Sequence, residues 1–416
     1  MQKSSKASIS FIFITILIDV IGIGVIIPVL PSLIQELTGG GLSDASKIGG
    51  WLIFSYALMQ FVFAPVLGAI SDKVGRRPVL LIALFGLGID YLIHAVAPTI
   101  AWLFLGRILA GIAGASITTA SAYIADISSS EKRAQNFGMI GAAFGLGFII
   151  GPVIGGVFSQ WGVRMPFYFS AGLSFVNFLY GYIVLPESLS KENRRKFDWK
   201  RANPLGTLKQ LKKNPVISGF VLSFVLLYMA GHSLNSTWSF FTMYKFSWTE
   251  TQVGYSLGVV GVMVALVQGG LIRVVVPYLG DKRAVIIGFL FWISGMLAFA
   301  FANEGWMMYA ILVPYCLGGI AGPTLQGIMS NQVHDNEQGE LQGGLTSLVS
   351  LTSIIGPLIM TNAFAFFTKD DTPVEFAGAP FFLGAIFLTL SLILIVKKLG
   401  AIDNLKPARS HKKHQL

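Results

Sequence analysis

Twelve long apolar stretches, separated by short polar segments, determine what this chain can fold into. A helix needs about 20 mostly apolar residues to cross the hydrocarbon core of a bilayer. Of the 416 residues, 54% are hydrophobic and only 12% are charged, whereas charged residues make up about 25% of a typical soluble domain. A soluble fold could not cover that much apolar surface. The sequence therefore predicts an all-α integral membrane protein.

We number the predicted membrane-spanning helices span 1 to span 12 in chain order. Their predicted ranges are 8–33, 47–70, 78–97, 100–126, 135–158, 165–186, 216–240, 251–274, 283–303, 305–330, 341–366 and 379–397. Span 1 is too long for the apolar core of a signal peptide and contains Asp19, so we interpret it as uncleaved. Lysine and arginine concentrate on the side of the two termini. The positive-inside rule then predicts a multi-pass protein of the inner or plasma membrane with both termini in the cytoplasm.

The two halves of the chain share short sequences in the same order. IIGP at 149–152 recurs at 354–357, and GIAG at 111–114 recurs at 319–322. Such a repeat predicts two parallel six-helix units with a substrate site at mid-depth between them. The predicted divisions are an N-terminal six-helix bundle at 1–186, a cytoplasmic basic linker at 187–214, a C-terminal six-helix bundle at 215–397 and a cytoplasmic tail at 398–416.

The loop between spans 2 and 3 carries a dense pattern of glycine and charge. Gly68 allows close helix approach, and Gly75 suits a turn with positive φ. Asp72 can pair with an arginine, for which Arg133 is a candidate, or can face a helix N-terminus. The alternative interpretation is that the charges only set topology. The predicted gating loop and charge network comprises Gly68, Asp72, Gly75, Arg76, Arg77, Asp126 and Arg133.

Span 5 carries small residues at three- and four-residue spacing. They form a flat helix face against which another helix can pack closely, and the proline weakens the helix locally. One interpretation is packing alone, and the other is control of leak and of alternation between two open states. The residues concerned are Gly138, Gly147, Gly151, Pro152, Gly155 and Gly156.

Few ionisable residues lie inside the predicted spans: Asp19, Asp90, His94, Arg107 and His232. A charge inside the bilayer is costly, so such residues usually face a cavity and mark a pathway. Asp90 and His94 are four residues apart and therefore share a helix face. These groups suit proton movement. The alternatives are that the acids only bond neighbouring helices, that Arg107 is a structural counter-ion, and that the histidines are satisfied polar residues.

Two groups of side chains could line a cavity between the halves. Gln60 and Gln268 are polar residues in otherwise apolar spans, and the alternative for them is bonding between helices. Aromatic residues would make a wall suited to a planar or lipophilic compound, and the alternative is packing or lipid contact. The aromatic candidates are Tyr228, Trp238, Phe240, Phe241, Trp292 and Tyr315.

These motifs resemble those of the major facilitator superfamily. The loop at 68–78 is similar to its signature loop, the segment around Arg107 to its intramembrane arginine motif, and span 5 to the antiporter motif of drug/proton exporters. Within the 12-span drug/proton group, the chain most resembles the tetracycline/proton antiporters. The resemblance implies the major facilitator fold, and export of a lipophilic drug or tetracycline-like compound in exchange for protons by alternating access. It implies proton-coupling roles for Asp19, Asp90, His94 and Arg107.

The chain departs from that family in its second half. The tetracycline exporters carry a histidine in span 8 and an aspartate in span 9, and these positions correspond here to Val264 and Trp292. Two rival functions therefore stay open. One is a symporter or facilitator for a metabolite within the same fold. The other is a polytopic membrane enzyme, which the sequence disfavours because it has no His-Glu-x-x-His motif and no cysteine cluster.

The remaining partners follow from composition and motifs. The chain has no phosphate-binding Gly-x-x-x-x-Gly-Lys-Ser/Thr loop, so we expect no use of ATP. The net charge of +10 is explained by topology and not by nucleic acid. Cys316 is the single cysteine, which excludes an intrachain disulfide. We expect no cofactor and no metal, contacts with membrane lipid, a small-molecule substrate, protons, and a monomer.

Overall fold

The computed structural model describes residues 2–129, 132–197, 215–334 and 337–403, and within these ranges it contains helices and no strand. Twelve helices are long and apolar enough to cross a membrane, which confirms the predicted number of spans and the all-α class. Spans 1 to 6 are Phe11–Thr38, Leu42–Val74, Arg76–Val96, Ile100–Ile127, Asn136–Trp161 and Met165–Val184. Spans 7 to 12 are Gly219–Phe246, Glu250–Leu279, Asp281–Phe301, Gly305–Ser330, Leu341–Thr368 and Ala379–Gly400.

Three of the spans are locally broken. Span 4 consists of Ile100–Gly114 and Ser116–Ile127. Span 10 consists of Gly305–Leu317, the 3₁₀ turn Gly318–Ile320 and Ala321–Ser330. Span 8 consists of Glu250–Leu266, the π-helical segment Val267–Leu271 and Ile272–Leu279. The breaks in spans 4 and 10 coincide with the repeated GIAG sequences, so the repeat extends to helix distortions that often accompany function.

Several helices continue beyond the apolar core that defined the predicted spans. Span 2 runs from Leu42 to Val74, although its apolar part is limited to about 47–70. The extra turns carry Asp44, Asp72 and Lys73, which are polar enough to lie outside the hydrocarbon while the backbone stays helical. Hydropathy therefore locates the spans but shortens them.

The helix at the carboxyl end shows the same effect. It continues to Asp403, past the predicted start of the tail at 398. Residues 404–416 of the tail and 198–214 of the linker lie outside the described residues.

Equivalent helices pack alike in the two halves. Span 1 packs along span 5 and span 3 against span 6, while span 7 packs along span 11 and span 9 against span 12. The two largest interfaces between the halves are those of span 5 with span 8 and of span 2 with span 11. In the repeat, span 5 of the first half corresponds to span 11 of the second, and span 2 corresponds to span 8. The two interfaces are therefore related to each other by the same repeat.

The halves meet at the distal end of the spans, which we define as the end away from the two termini. There Ser43 Oγ donates a hydrogen bond of 2.8 Å to the carbonyl of Thr368. Gly156 of span 5 faces Gly254 of span 8, with no space for a side chain between them. Ser32 of span 1 also hydrogen-bonds Glu250 of span 8. Contact at this end closes the space between the halves.

At the proximal end, near the termini, the same helices stand apart. On span 5, a Cβ atom added at Gly138, Gly141 or Gly145 would meet no atom within 4 Å. The same is true of Gly269 and Gly270 on span 8. The space between the halves therefore opens toward the side that carries the termini.

Candidate functional site

A buried ion pair joins spans 3 and 4. Arg107 Nη2 lies 2.6 Å from Asp90 Oδ2, and Arg107 Nε donates to His94 Nε2 at 3.2 Å. Asp90 and His94 are fully buried, and Arg107 is 9% exposed. The helical spacing of Asp90 and His94 places both on the face of span 3 that packs against span 4. The structure thus brings three of the predicted proton-coupling residues together.

The hydrogen bonds of this triad define its charges. Because His94 Nε2 accepts from Arg107, the imidazole proton is assigned to Nδ1, which lies 3.0 Å from the Asp90 carbonyl oxygen. His94 is then neutral, and the carboxylate and guanidinium charges cancel. Removing one partner of a buried pair is strongly destabilising because the other charge is left uncompensated.

One carboxylate oxygen of Asp90 has no hydrogen bond. Oδ1 lies 3.0 Å from His94 Nδ1, but the imidazole proton is directed at the backbone carbonyl, and Oδ1 makes no hydrogen bond to the described part of the protein. Among the described residues, Oδ1 is therefore the carboxylate oxygen of this triad that is left without a hydrogen-bond donor.

Asp19 of span 1 lies apart from the triad but is linked to it by packing. The buried ring of Tyr91, next to Asp90 in sequence, directs its hydroxyl at Gly22, one turn from Asp19. Asp19 Oδ1 is buried and makes no hydrogen bond to the described residues. The structure thus places a second carboxyl group near the triad, linked to it through the Tyr91 ring and without an ion pair among the described residues.

A cavity of about 320 Å³ lies between the two halves, and we call it the central chamber. Arg107 and Gln60 line it from the first half, and His232, Asn235 and Phe240 from the second. Gln60 also donates to the carbonyl of Gly114 at 3.3 Å. The volume matches that of small ligand sites. The Arg107 guanidinium is thus both a cavity wall and the partner of Asp90.

A second cavity of about 290 Å³ lies inside the C-terminal half, and we call it the side chamber. It shares His232 and Asn235 with the central chamber. Its other notable lining residues are Tyr228, Gln268, Trp292, Tyr315, Cys316 and Gln326. The rings of Trp292 and Tyr315 meet edge to face at 6.1 Å, and Gln268 belongs to the π-helical segment of span 8. The predicted cavity residues Tyr228, Gln268 and Trp292 therefore share one chamber.

Trp238 and Phe241 line neither chamber, unlike the sequence-based expectation. Trp238 is 1% exposed and donates through Nε1 to Ser256 Oγ at 2.9 Å. Its ring packs edge to face on Phe299, and Phe241 packs on Phe381. Both rings lie on the face of span 7 that points into its own bundle. Sequence could not separate the faces because polar and apolar residues are mixed around this span without a helical periodicity.

His232 occupies a more central position than its sequence suggested. Its ring lies against Gly356 of span 11, and its Nε2 is 3.4 Å from Thr352 Oγ1. Since it borders both chambers, it lies where a ligand could touch both.

The loop between spans 2 and 3 contains a compact charge network. Arg76 Nη1 lies 2.6 Å from Asp72, and Arg76 Nε lies 3.2 Å from Asp126 of span 4. Arg77 donates to the carbonyl of Tyr182 in span 6 at 2.6 Å. The partner of Asp72 among the described side chains is Arg76. The side chain of the predicted partner, Arg133, lies outside the described residues, so that pairing stays a prediction.

Glu187, just after span 6, is a part of this network that the sequence did not reveal. It accepts hydrogen bonds from the backbone N–H groups of Arg76 at 2.8 Å and of Arg77 at 3.3 Å. These are free donors at the start of span 3, where a negative charge is favoured. Gly75 has φ +112°, and a side chain there would collide with Glu187. No local sequence signal connects positions so far apart.

The glycines of span 5 contact two different helices. Gly147, Gly151 and Gly155 lie against span 1, and Gly151 faces Gly24. Gly156 instead faces span 8, across the interface between the halves. Gly138 and Gly68, at the proximal end, meet no atom within 4 Å. Span 5 therefore packs on span 1 through these glycines, and its contact with span 8 of the other half extends from Gly156 to Ile149 near mid-span.

Comparisons with known proteins agree with this architecture. The family model described as Major Facilitator Superfamily matches residues 12–357. The tetracycline resistance protein of class C from Escherichia coli is 41% identical over 88% of this chain and 91% of its own length. The class E protein of the same organism is 37% identical over 92% and 93%.

A solved structure shows the same fold. It is a bacterial homologue of the human lysosomal transporter Spinster, described as inward-facing and unoccupied, with a TM-score of 0.78 at 14% identity. The match covers 99% of this chain and all of that one. The chain belongs to the Major Facilitator Superfamily and, within it, to the group that includes the tetracycline resistance proteins.

Proposed function

We propose that this protein is a secondary active transporter that exports a lipophilic small molecule, of the drug or tetracycline-like class, in exchange for protons by alternating access. The observation that carries the proposal is the buried Asp90–Arg107 pair at the wall of the central chamber. Ionisable residues inside membrane spans typically pair with one another and mark ion pathways. The likeness to tetracycline resistance proteins over most of the chain supports export of a drug.

The geometry suggests how proton and substrate share the site. In the state observed here, the ion pair is closed and the central chamber is open at the proximal end. Substrate can enter while Asp90 is deprotonated. When the distal end opens instead, a proton on Asp90 Oδ1 would cancel the carboxylate charge and leave Arg107 unpaired beside the chamber. The chamber then carries a positive charge only in its protonated state, so proton and substrate occupancy become linked.

The direction of transport follows from the orientation. The excess of lysine and arginine near the termini supports placing both termini in the cytoplasm of a cell with an inner or plasma membrane. The observed state is then open to the cytoplasm, from which an exporter collects its substrate. The proton gradient across the membrane would supply the energy for export, without ATP or a cofactor. The protein would act as a monomer and would not catalyse a reaction.

A metabolite symporter or facilitator remains the second candidate. The observation that favours it is the departure from the tetracycline exporters at Val264 and Trp292. The side chamber presents an apolar residue and an indole where those proteins carry ionisable groups. Altered chemistry at these positions can change the substrate while the fold and the first-half proton site stay the same.

Inverted membrane vesicles with an acidic interior test the proposal. Tetracycline and other lipophilic drugs are added while a pH-sensitive dye is followed. We expect dequenching with at least one compound, and its loss in Asp90→Asn. Asp44→Asn removes an exposed acid at the distal end of span 2 and serves as the matched control. Concentrative transport that survives in Asp90→Asn would refute this proton site. If none of the drugs caused dequenching and a metabolite showed counterflow, the second candidate would be favoured.

A further inference from the structure

The spans of the first half contain several buried polar atoms that have no partner. Among the described residues, nine buried side-chain polar atoms make no hydrogen bond. Five of them belong to spans 1, 3, 4 and 6: Asp19 Oδ1, Asp90 Oδ1, Thr119 Oγ1, Ser170 Oγ and Asn177 Nδ2. The spans of the second half hold two, Ser223 Oγ and Trp292 Nε1. A buried polar group without a partner is costly, so their concentration in one bundle points to a shared ligand there.

Span 6 presents a polar face to the interior of this bundle. Ser170, Ser174 and Asn177 follow one another at spacings of four and three residues, which places them on one side of the helix. All three are at most 2% exposed. The next buried residue on this side, Gly181, packs against the ring of Phe11 in span 1. The polar face of span 6 therefore points toward span 1 and not toward lipid.

The polar face of span 6 joins the surroundings of the two buried carboxyl groups. One turn beyond its distal end, the ring of Phe167 stacks on His94 of the triad, with the ring centres 5.5 Å apart. At its proximal end, Thr15 Oγ1 donates to Asn177 Oδ1 at 3.4 Å. Asp19 lies one helical turn from Thr15 on span 1. The polar face thus extends from the triad to the neighbourhood of Asp19.

From this arrangement we propose that the interior of the first bundle binds a chain of water molecules, and that this chain carries the proton from Asp90 past Asp19 to the proximal end, apart from the central chamber. This inference rests on the proposed function, since it names the route of the proton in the same transporter. A buried water typically makes about three hydrogen bonds to otherwise unpaired polar groups. Ser170 Oγ, Asn177 Nδ2 and Asp19 Oδ1 supply both donors and acceptors for such waters.

The transfer along this chain balances in protons and charge. A proton leaves the carboxylic acid of Asp90, which returns to its carboxylate, and binds the nearest water. Each further step breaks one O–H bond and forms the next, so one proton leaves at the proximal end for each proton that Asp90 releases. The Asp90 carboxylate then pairs again with Arg107, as in the observed state.

The central chamber is a less suitable route for this proton. Asp90 and His94 are fully buried and line neither chamber, whereas Arg107 reaches the central chamber. In the observed state, a proton released from Asp90 into that chamber would have to pass the guanidinium, whose positive charge repels it. Along span 6 the polar side chains are neutral, and the Asp19 carboxyl group attracts a proton. The interior of the bundle therefore offers the path with the lower electrostatic barrier.

Labelling with hydroxyl radicals, generated by X-ray radiolysis of water, tests the hydration without any transport. A buried ring is labelled only where water lies next to it. Phe167 and Phe381 are both fully buried, but Phe381 lies among the rings of Trp238 and Phe299 in the second half. In the purified full-length protein we expect label on Phe167 and none on Phe381, and loss of the Phe167 label in Asn177→Leu. Equal protection of both rings in the native protein would overturn the inference.

Transport in inverted vesicles then separates the proton route from the substrate site. Asn177→Leu, and separately Ser170→Ala in case the first does not fold, should slow drug-driven dequenching about tenfold or more. Counterflow of the same drug, which needs no net proton movement, should stay at the native rate. Ser223→Ala removes a buried, unpaired hydroxyl from span 7 of the second half and should change neither rate.

The two measurements fail independently. Native dequenching in both folded variants would overturn the route, whatever the label on Phe167. If the native protein gave no dequenching with any drug, the proposed function would fail, while label on Phe167 would still support the chain of waters.

Discussion

Arg107 holds Asp90 across the interface of spans 3 and 4 at 2.6 Å, and His94 contacts both. This arrangement combines two roles. It stabilises the packing of two helices, and it keeps an ionisable carboxyl group beside a cavity. The two roles can be separated by changing the partners one at a time and together.

We expect Arg107→Gln to destabilise the folded protein by about 3–5 kcal/mol, because it leaves the Asp90 carboxylate buried without its counter-charge. The double variant Asp90→Asn/Arg107→Gln should regain most of that stability while remaining unable to couple protons. Thermal unfolding in detergent and dye dequenching in vesicles measure the two effects. If the double variant were as unstable as the single one, the pair would not be the source of the loss.

Gly75 should tolerate no side chain, for a reason beyond backbone strain. Its φ of +112° and ψ of 162° lie in a region that is essentially restricted to glycine, and a Cβ atom there would also displace Glu187 from the start of span 3. Gly75→Ala should therefore lower both stability and transport.

Gly162 provides the control for this substitution. It has φ +125° and ψ 146°, with open space around it, so Gly162→Ala should cost only the strain of about 1–3 kcal/mol. Equal transport loss in both variants would show that the contact with Glu187 has no role.

The contact between spans 1 and 5 should depend on Gly151. An added Cβ atom would lie 2.9 Å from the Cα of Gly24, so Gly151→Ala should force the helices apart and destabilise the protein by about 1–3 kcal/mol. Gly141→Ala on the same helix meets open space and should be neutral or slightly stabilising. Thermal unfolding of the two variants measures the difference, and similar losses would contradict a packing role specific to Gly151.

Opening of the distal end should be necessary for transport. Ser43 Oγ and Thr368 Oγ1 lie 2.8 Å apart across the halves. In a Cys316→Ala background, we expect Ser43→Cys/Thr368→Cys to form a disulfide on oxidation, seen as loss of thiol labelling. Transport should stop and return with dithiothreitol, while Ser43→Cys alone stays active. An oxidised double variant that still transports would show that this end does not need to open.

Sequence was sufficient where the physical signal is local. Apolar length located all twelve spans, because the bilayer imposes one requirement on every span. The four-residue spacing of Asp90 and His94 placed them on one face, and the rarity of charge inside the spans singled out Arg107 as their companion. The helix ends were missed, as at Leu42 and Val74, since polar residues there remain helical outside the hydrocarbon.

Sequence failed where a contact joins distant positions or depends on which face a residue occupies. Glu187 caps the start of span 3 from 111 residues away, and nothing in its neighbourhood indicates that partner. Trp238 was expected in the cavity but packs into its own bundle, because the hydrophobic pattern of span 7 does not distinguish the two faces. Which end of the space between the halves is closed depends on the packing of all the spans, so no short stretch of sequence indicates it.

The distal closure has a consequence for how the protein responds to its surroundings. In the part of the chain that the structure describes, the halves are held there by hydroxyl groups, close glycines and one carboxylate, and no ion pair crosses between them. Screening by dissolved ions acts on charge pairs and hardly at all on such contacts. The strength of the distal closure itself should therefore be nearly the same in dilute and in saline media.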